Sequence, residues 1–212
     1  MKIDFVSDVA CPWCAVGLNS LERALENIGN EIEVEMHFQP FELNPTMPPE
    51  GADAVDYLSK KYGISAEQIA HNQAAIRERG AAVGFAFGQR AHVWNTFDAH
   101  RLLFWAGIEG PVVQRELKHA LLKAYHGDGR NPGAHEVLLE LAAQVGLETE
   151  SAAAILAGDT YAAEVREREQ FWQRAGINSV PAVVINGKHL ISGGQPPEIF
   201  EQALRQIAAA QA

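Results

Sequence analysis

The chain has 212 residues, 47% of them hydrophobic, and a formal charge of −10 from 17 basic and 27 acidic side chains. That length suits one compact domain, or a small domain carrying a large insertion. An acidic chain repels phosphate backbones and anionic lipid, which argues against nucleic acid and membrane surfaces as partners. No stretch approaches the roughly 18 apolar residues of a membrane span. Met1-Lys2-Ile3-Asp4-Phe5-Val6 runs straight into strand-like sequence with no cleavable leader, so a soluble cytoplasmic protein is expected.

Ile3, Phe5 and Val6 mark a strand over 2–6. Pro12 suits a first helical position, and Leu18, Leu21, Leu25 and Ile28 follow at steps of three and four, one apolar stripe that Gly29-Asn30 stops. Ile32, Val34, Met36 and Phe38 then alternate with Glu33, Glu35 and His37, the period of a strand with one polar face. Together these predict a βαβ unit. From about 50 to 175 the β signal fades. Helices are predicted near 53–62, 66–80, 94–107, 112–125, 133–145, 151–157 and 161–175, with a loop over 84–88. Ser65 with Gln68 reads as a capping box, and Asn131-Pro132 as a helix cap and first residue. At the end, Ala182–Ile185 and Leu190-Ile191 flank Asn186-Gly187, a strong hairpin turn. Pro196-Pro197 then opens a helix carrying Ile199, Phe200, Ala203, Leu204 and Ile207 on one side. The order predicts an α/β domain made from 1–48 and 176–212, interrupted by a helical insertion over 49–175.

The only two cysteines, Cys11 and Cys14, share one motif, Cys11-Pro12-Trp13-Cys14, at the strand-to-helix turn. A helix start favours negative charge, because its first N–H groups are unpaired and the dipole is positive there. Such a site lowers a thiol pKa, which marks Cys11 as a nucleophile. Cys14, one turn on, lies in reach to resolve a mixed disulfide. Pro12 pre-sets the helical φ, and Trp13 offers a partly exposed apolar edge. The same spacing is half of a zinc site, but a zinc site needs two more ligands, and no second cysteine pair or close histidine pair supplies them. Ser179-Val180-Pro181-Ala182 precedes the late strand; a loop opposite the helix start must present backbone to an incoming peptide, with Val180 and Pro181 as its candidate residues.

The combination resembles the DsbA family of thioredoxin-fold oxidoreductases, specifically its FrnE-like cytoplasmic branch. The matching segments are Asp8-Val9-Ala10-Cys11-Pro12-Trp13-Cys14, Phe41-Glu42-Leu43-Asn44-Pro45, Asn95 to Leu102, Ile177 to Pro181, Val184 to Lys188 and Ile191 to Pro196. They run in order from one end of the chain to the other. The resemblance implies a thioredoxin fold split by a helical insertion, dithiol–disulfide activity, and a cis Pro181 beside Cys11. Relatives often bury a carboxylate six residues before the nucleophile; here that position is Phe5. Asp4 and Asp8 read as ordinary exposed acids, leaving water to take the proton of Cys14.

Asn44, Asn95, His100, Arg101 and Gly193 are candidates for a substrate groove. Asn95, His100 and Arg101 are expected on one helix, and Gly193-Gly194 reads either as a site of close backbone approach by a thiol ligand such as glutathione or as a simple turn before the last helix. His37 reads as an exposed strand residue, and Trp94, Phe97, Leu103, Phe104 and Trp105 as core of the helical block. The function expected is thiol–disulfide exchange on protein or small-molecule disulfides by a monomer or homodimer. No metal or organic cofactor is called for, with glutathione as the candidate co-substrate. Two readings compete: a glutathione-dependent isomerase or transferase, which needs no second cysteine, and a non-enzymatic chaperone or binding module using the apolar surface near Trp13.

Overall fold

The computed structural model describes residues 1–210. Strand β1 (Lys2–Ser7) leads into helix α1 (Pro12–Ile28), a short 3₁₀ turn and strand β2 (Glu35–Pro40). A two-residue strand β3 (Ala52–Asp53) precedes α2 (Ala54–Tyr62) and α3 (Ala66–Ala82), and β4 (His92–Val93) pairs back with β3. Then follow α4 (Phe97–Glu109), α5 (Pro111–Leu122), a π-helical turn over Lys123–Gly127, α6 (His135–Gln144), α7 (Thr149–Ala157) and α8 (Ala162–Arg174). The hairpin β5 (Ala182–Ile185) and β6 (His189–Ser192) and helix α9 (Pro197–Ala209) complete the fold.

The sheet has the order β2-β1-β5-β6. β1 runs parallel to β2 and antiparallel to β5, which is antiparallel to β6. The central strand thus takes partners from both ends of the chain, with the helices between them. α1 and α9 pack together on one face. There Ile3, Phe5, Leu18, Leu21, Val183, Phe200 and Leu204 are fully buried around both cysteines. Phe5 meets Phe38 edge to face at 5.9 Å between ring centroids. A second core fills the helical block around Leu102, Leu117, Tyr125 and Leu138, and reaches Val9 and Ala10 beside Cys11. Both turn residues Asn186 and Gly187 have positive φ, 52° and 66°, as the hairpin signal requires.

Several boundaries differ from the sequence reading. β2 begins at Glu35 because β1 begins at Lys2, its register partner, so Ile32 and Val34 have no strand beside them and pack as half-buried connectors. Trp94–Thr96 is not helical: the chain leaves β4 there and enters α4 at Phe97, whose N–H is accepted by Asn95 Oδ1 at 2.9 Å. Asn131-Pro132 opens no helix. Asn131 Oδ1 accepts from Gly133 N at 2.8 Å in a local turn, and α6 starts only at His135. Ser65 does cap α3, its side chain accepting from Gln68 N. Within the expected aromatic core, Leu103 and Trp105 are buried whereas Trp94 packs only partly buried at its edge.

Candidate active site

Cys11 stands at the N-cap of α1, in extended conformation, with Pro12 at the first helical position. Its N–H donates to Asp8 O at 3.2 Å and its carbonyl accepts from Cys14 N at 3.0 Å. These bonds fold the Asp8–Cys14 turn tightly over the end of β1. Cys11 keeps 4% of its surface exposed, and Cys14 none. Both are free thiols. A hydrogen bond from the Cys14 thiol, then the amides of Cys14 and Trp13, hold the Cys11 pKa below the ordinary thiol value, against burial and the negative charge of Asp8. Burial, and then the bond and charge of Cys11, push Cys14 well above it. The two sulfurs are therefore unequal: one held toward the thiolate, the other kept protonated behind it.

The Val180–Pro181 bond is cis. Val180 O lies 3.5 Å from Cys11 Sγ, which donates to it. Pro181 O accepts from Gly193 N at 2.8 Å, fixing the loop to the start of the next turn. Gly17 makes the close approach of helix and loop feasible, since a Cβ there would stand 2.9 Å from Pro181 Cγ.

Asp8 is fully buried, and so is Asp4, at 4%. The reading of both as exposed acids is corrected. Asp4 points away from Phe5, as strand alternation requires, but toward Gln39 Nε2 (2.6 Å) and Lys2 Nζ (3.3 Å) rather than solvent. Asp8 anchors the redox turn. Its Oδ1 accepts from Ala10 N (3.0 Å) and Thr96 Oγ1 (2.8 Å) and faces His100 Nε2 at 3.2 Å, while Oδ2 accepts from Leu43 N at 2.7 Å. Burial alone would raise its pKa, but the bond and charge of His100 and the Leu43 and Ala10 amides outweigh it and hold Asp8 low. His126 holds the same turn from another side, its Nε2 donating to Val9 O at 2.8 Å.

A cavity of about 860 Å³ opens over the motif, lined by Cys11, Pro12, Trp13 and Val180 on one wall and by α2 and α3 on the other. Asn44 is part of the lining, and its Oδ1 accepts from Tyr57 Oη (2.8 Å) and Lys61 Nζ (2.6 Å). The other groove candidates sit elsewhere. Asn95 lies before α4 and ties Met47 O by its Nδ2 at 2.7 Å. His100 is 2% exposed and spent on Asp8. Arg101 is buried among the carbonyls of Ile155, Gly158 and Thr160 and the Asp98 carboxylate, where it ties α4 to the end of α7. These are structural posts, because a helix buried on this face has no wall of the cavity to offer. Gly193 braces Pro181 from behind. The sequence reading missed Thr96, His126 and the cavity cations Lys61, Arg77 and Arg90. Among the described residues, no cluster of three or more His, Cys, Asp or Glu is arranged to hold a metal, and no helix is long and apolar enough to cross a membrane.

Residues 2–205 match the family model described as "DSBA-like thioredoxin domain". The chain belongs to the DSBA-like thioredoxin family. It is similar to a probable DsbA oxidoreductase from Streptomyces coelicolor, with 36% identity, 97% of this chain and 89% of that one covered, and a TM-score of 0.90. The Bacillus subtilis protein YwbO is 28% identical over 205 residues, 96% of each chain. The cytosolic disulfide reductase DsbM from Pseudomonas aeruginosa, solved with GSH, shares the fold at 17% identity and a TM-score of 0.67, covering 99% of this chain and all of that one.

Proposed function

We propose that the chain is a thiol–disulfide oxidoreductase in which Cys11 attacks and Cys14 resolves. The observation that carries this is the inequality of the two sulfurs, a low-held thiol facing a cavity with a high-held thiol buried behind it. The Cys11 thiolate attacks one sulfur of a partner disulfide, forming a mixed disulfide and releasing the other sulfur as a thiolate. Cys14, once deprotonated, attacks Cys11 Sγ; the bond to the partner breaks and the Cys11–Cys14 disulfide forms. Two electrons leave the protein and reduce the partner; the reverse sequence oxidises it. The electrons pass through sulfur alone, so the reaction needs no other redox group.

The cavity supports a further reading of the partner. Lys61, Arg77 and Arg90 line it, and none forms an ion pair among the described residues. Three unpaired cations in a chain of charge −10 favour a disulfide or thiol bearing carboxylates. Glutathione is the candidate co-substrate, and the cytosol, where DsbM acts, the candidate setting. The test is Cys14→Ser: incubation with oxidised glutathione should trap one glutathione on Cys11, seen by intact mass and removed by dithiothreitol. A glutathione-dependent isomerase would instead keep full turnover without Cys14, and a chaperone would work without Cys11.

A further inference from the structure

The mechanism above leaves one buried charged group without a task. Lys118 on α5 is 1% exposed, among the largest fully buried side chains of the protein. A buried ammonium is costly unless paired, and among the described residues no carboxylate makes an ion pair with it. With His100 and Pro40 it lines a small cavity of about 10 Å³ between α4, α5 and the end of β2. His100 in turn meets Asp8, whose carbonyl and carboxylate hold the redox turn. Phe38 lines the same cavity and belongs to the core that holds both cysteines, so Lys118 stands behind the layer that carries them.

His100 on α4 shares the cavity with it, and the titratable groups whose charge reaches it are Cys11 and Cys14 on α1, Asp8 in the turn before α1 and His126 in the π turn. His126 is neutral through the physiological range, its pKa pushed down to about 3. Asp8 has both oxygens committed to four donors. Phe5, fully buried in the same cluster as the cysteines, brings no charge. Burial lowers the pKa of Lys118 itself, against the negative charges of Cys14, Asp8 and Cys11, which favour its protonated form. Its positive charge is one of the few influences that favour the Cys14 thiolate, against burial and Cys11.

We propose that Lys118 is a positioning residue of the redox centre, a buried cation that stabilises the reduced, deprotonated dithiol and so makes the Cys11–Cys14 disulfide more oxidising. This rests on the dithiol reading of the site. When Cys14 attacks Cys11 Sγ and the bond to the partner breaks, the charge on Cys14 moves to the departing sulfur; Lys118 gains and loses no atom.

The test is Lys118→Met, close in volume and uncharged. The equilibrium between the protein dithiol and glutathione disulfide should shift on the order of tenfold toward the protein disulfide, about 30 mV more reducing. The Cys11 thiolate absorbance at 240 nm should titrate at higher pH. The urea midpoint should hold or rise, because a buried lone charge has been removed. A merely structural lysine predicts the opposite pattern: a lower midpoint with the equilibrium constant and titration unmoved. That result overturns the proposal. Lys118→Gln reads the same quantities if the methionine variant does not fold. If the wild-type protein forms no Cys11–Cys14 disulfide in the same buffers, the dithiol reading fails first.

Discussion

His126 offers a quantitative test of how the redox turn is held. It is 2% exposed, its ring meets Phe87 and Tyr125, and its Nε2 must carry a proton to donate to Val9 O. Burial first, and then the charge of Arg90, push its pKa down to about 3 from the ordinary 6.5. The group is thus neutral when folded, and the unfolded chain takes up a proton below pH 6.5. Its contribution is complete above that pH and is lost as the pH falls toward 3. From pH 7 to pH 4 the unfolded state gains about 2.5 units of protonation advantage, or about 3 kcal/mol at 1.36 kcal/mol per unit. That is a large share of the 5–15 kcal/mol typical of a domain. Urea unfolding followed by circular dichroism at pH 7 and pH 4 would measure it against His126→Gln, whose amide can still donate to Val9 O. Carboxylate losses are common to both proteins and cancel. Wild type should lose about 3 kcal/mol more than the variant over this interval. Equal losses, or a His126 imidazole proton resonance titrating near 6.5, would refute the reasoning.

Two further outcomes follow from the packing around the site. Glu42 and Glu169 are both buried against Arg166, each leaves one carboxylate oxygen unpartnered, and burial raises the pKa of both. A carboxyl that holds its proton more tightly when folded stabilises at low pH and loses that contribution as the pH rises through its folded value. Glu169→Gln should therefore gain in Tm over wild type between pH 4.5 and pH 8 in differential scanning calorimetry; a constant difference contradicts the shared burial. In Gly17→Ala, the added methyl meets Pro181 Cγ at 2.9 Å and Gly194 Cα at 3.3 Å. Overpacking of about 1–3 kcal/mol is partly offset by about 1 kcal/mol of helix propensity. The unfolding free energy should drop by about 0–2 kcal/mol while the disulfide-exchange rate, which depends on the Val180 loop beside Cys11, falls severalfold. An unchanged rate would show that the loop can retreat freely.

The elements that form the sheet were legible because each carried its own local signal: alternation over 32–38, the Asn186-Gly187 turn, the Pro12 helix start. The redox motif was legible for the same reason, since both sulfurs, their spacing and the helix start lie within four residues. What surrounds it was not. Asp8 looks like a surface acid beside a strand; only the return of Leu43, Thr96 and His100 from distant parts of the chain makes its burial affordable. Arg101 looks like a groove residue on a helix, yet the carbonyls left open at the end of α7 claim it. Lys118 falls on the apolar stripe of α5 with Leu117 and Leu121, and nothing in spacing says that a lysine there faces inward. The Asn131-Pro132 start failed because Asn131 spends its side chain on Gly133 instead of on a helix. The contacts of Asp8 and Arg101 are long-range, and periodicity does not report them.

The central claim is that Cys11 and Cys14 form one reversible two-electron couple. Equilibration in a series of glutathione redox buffers, with thiol trapping and intact mass, measures it directly. The account predicts a single transition between the dithiol and an internal Cys11–Cys14 disulfide. A potential of about −120 to −230 mV would mark an oxidising or isomerising enzyme and one of about −270 mV a reductase. Absence of the internal disulfide, or a stable glutathione adduct on Cys11 that Cys14 never displaces, would contradict the account.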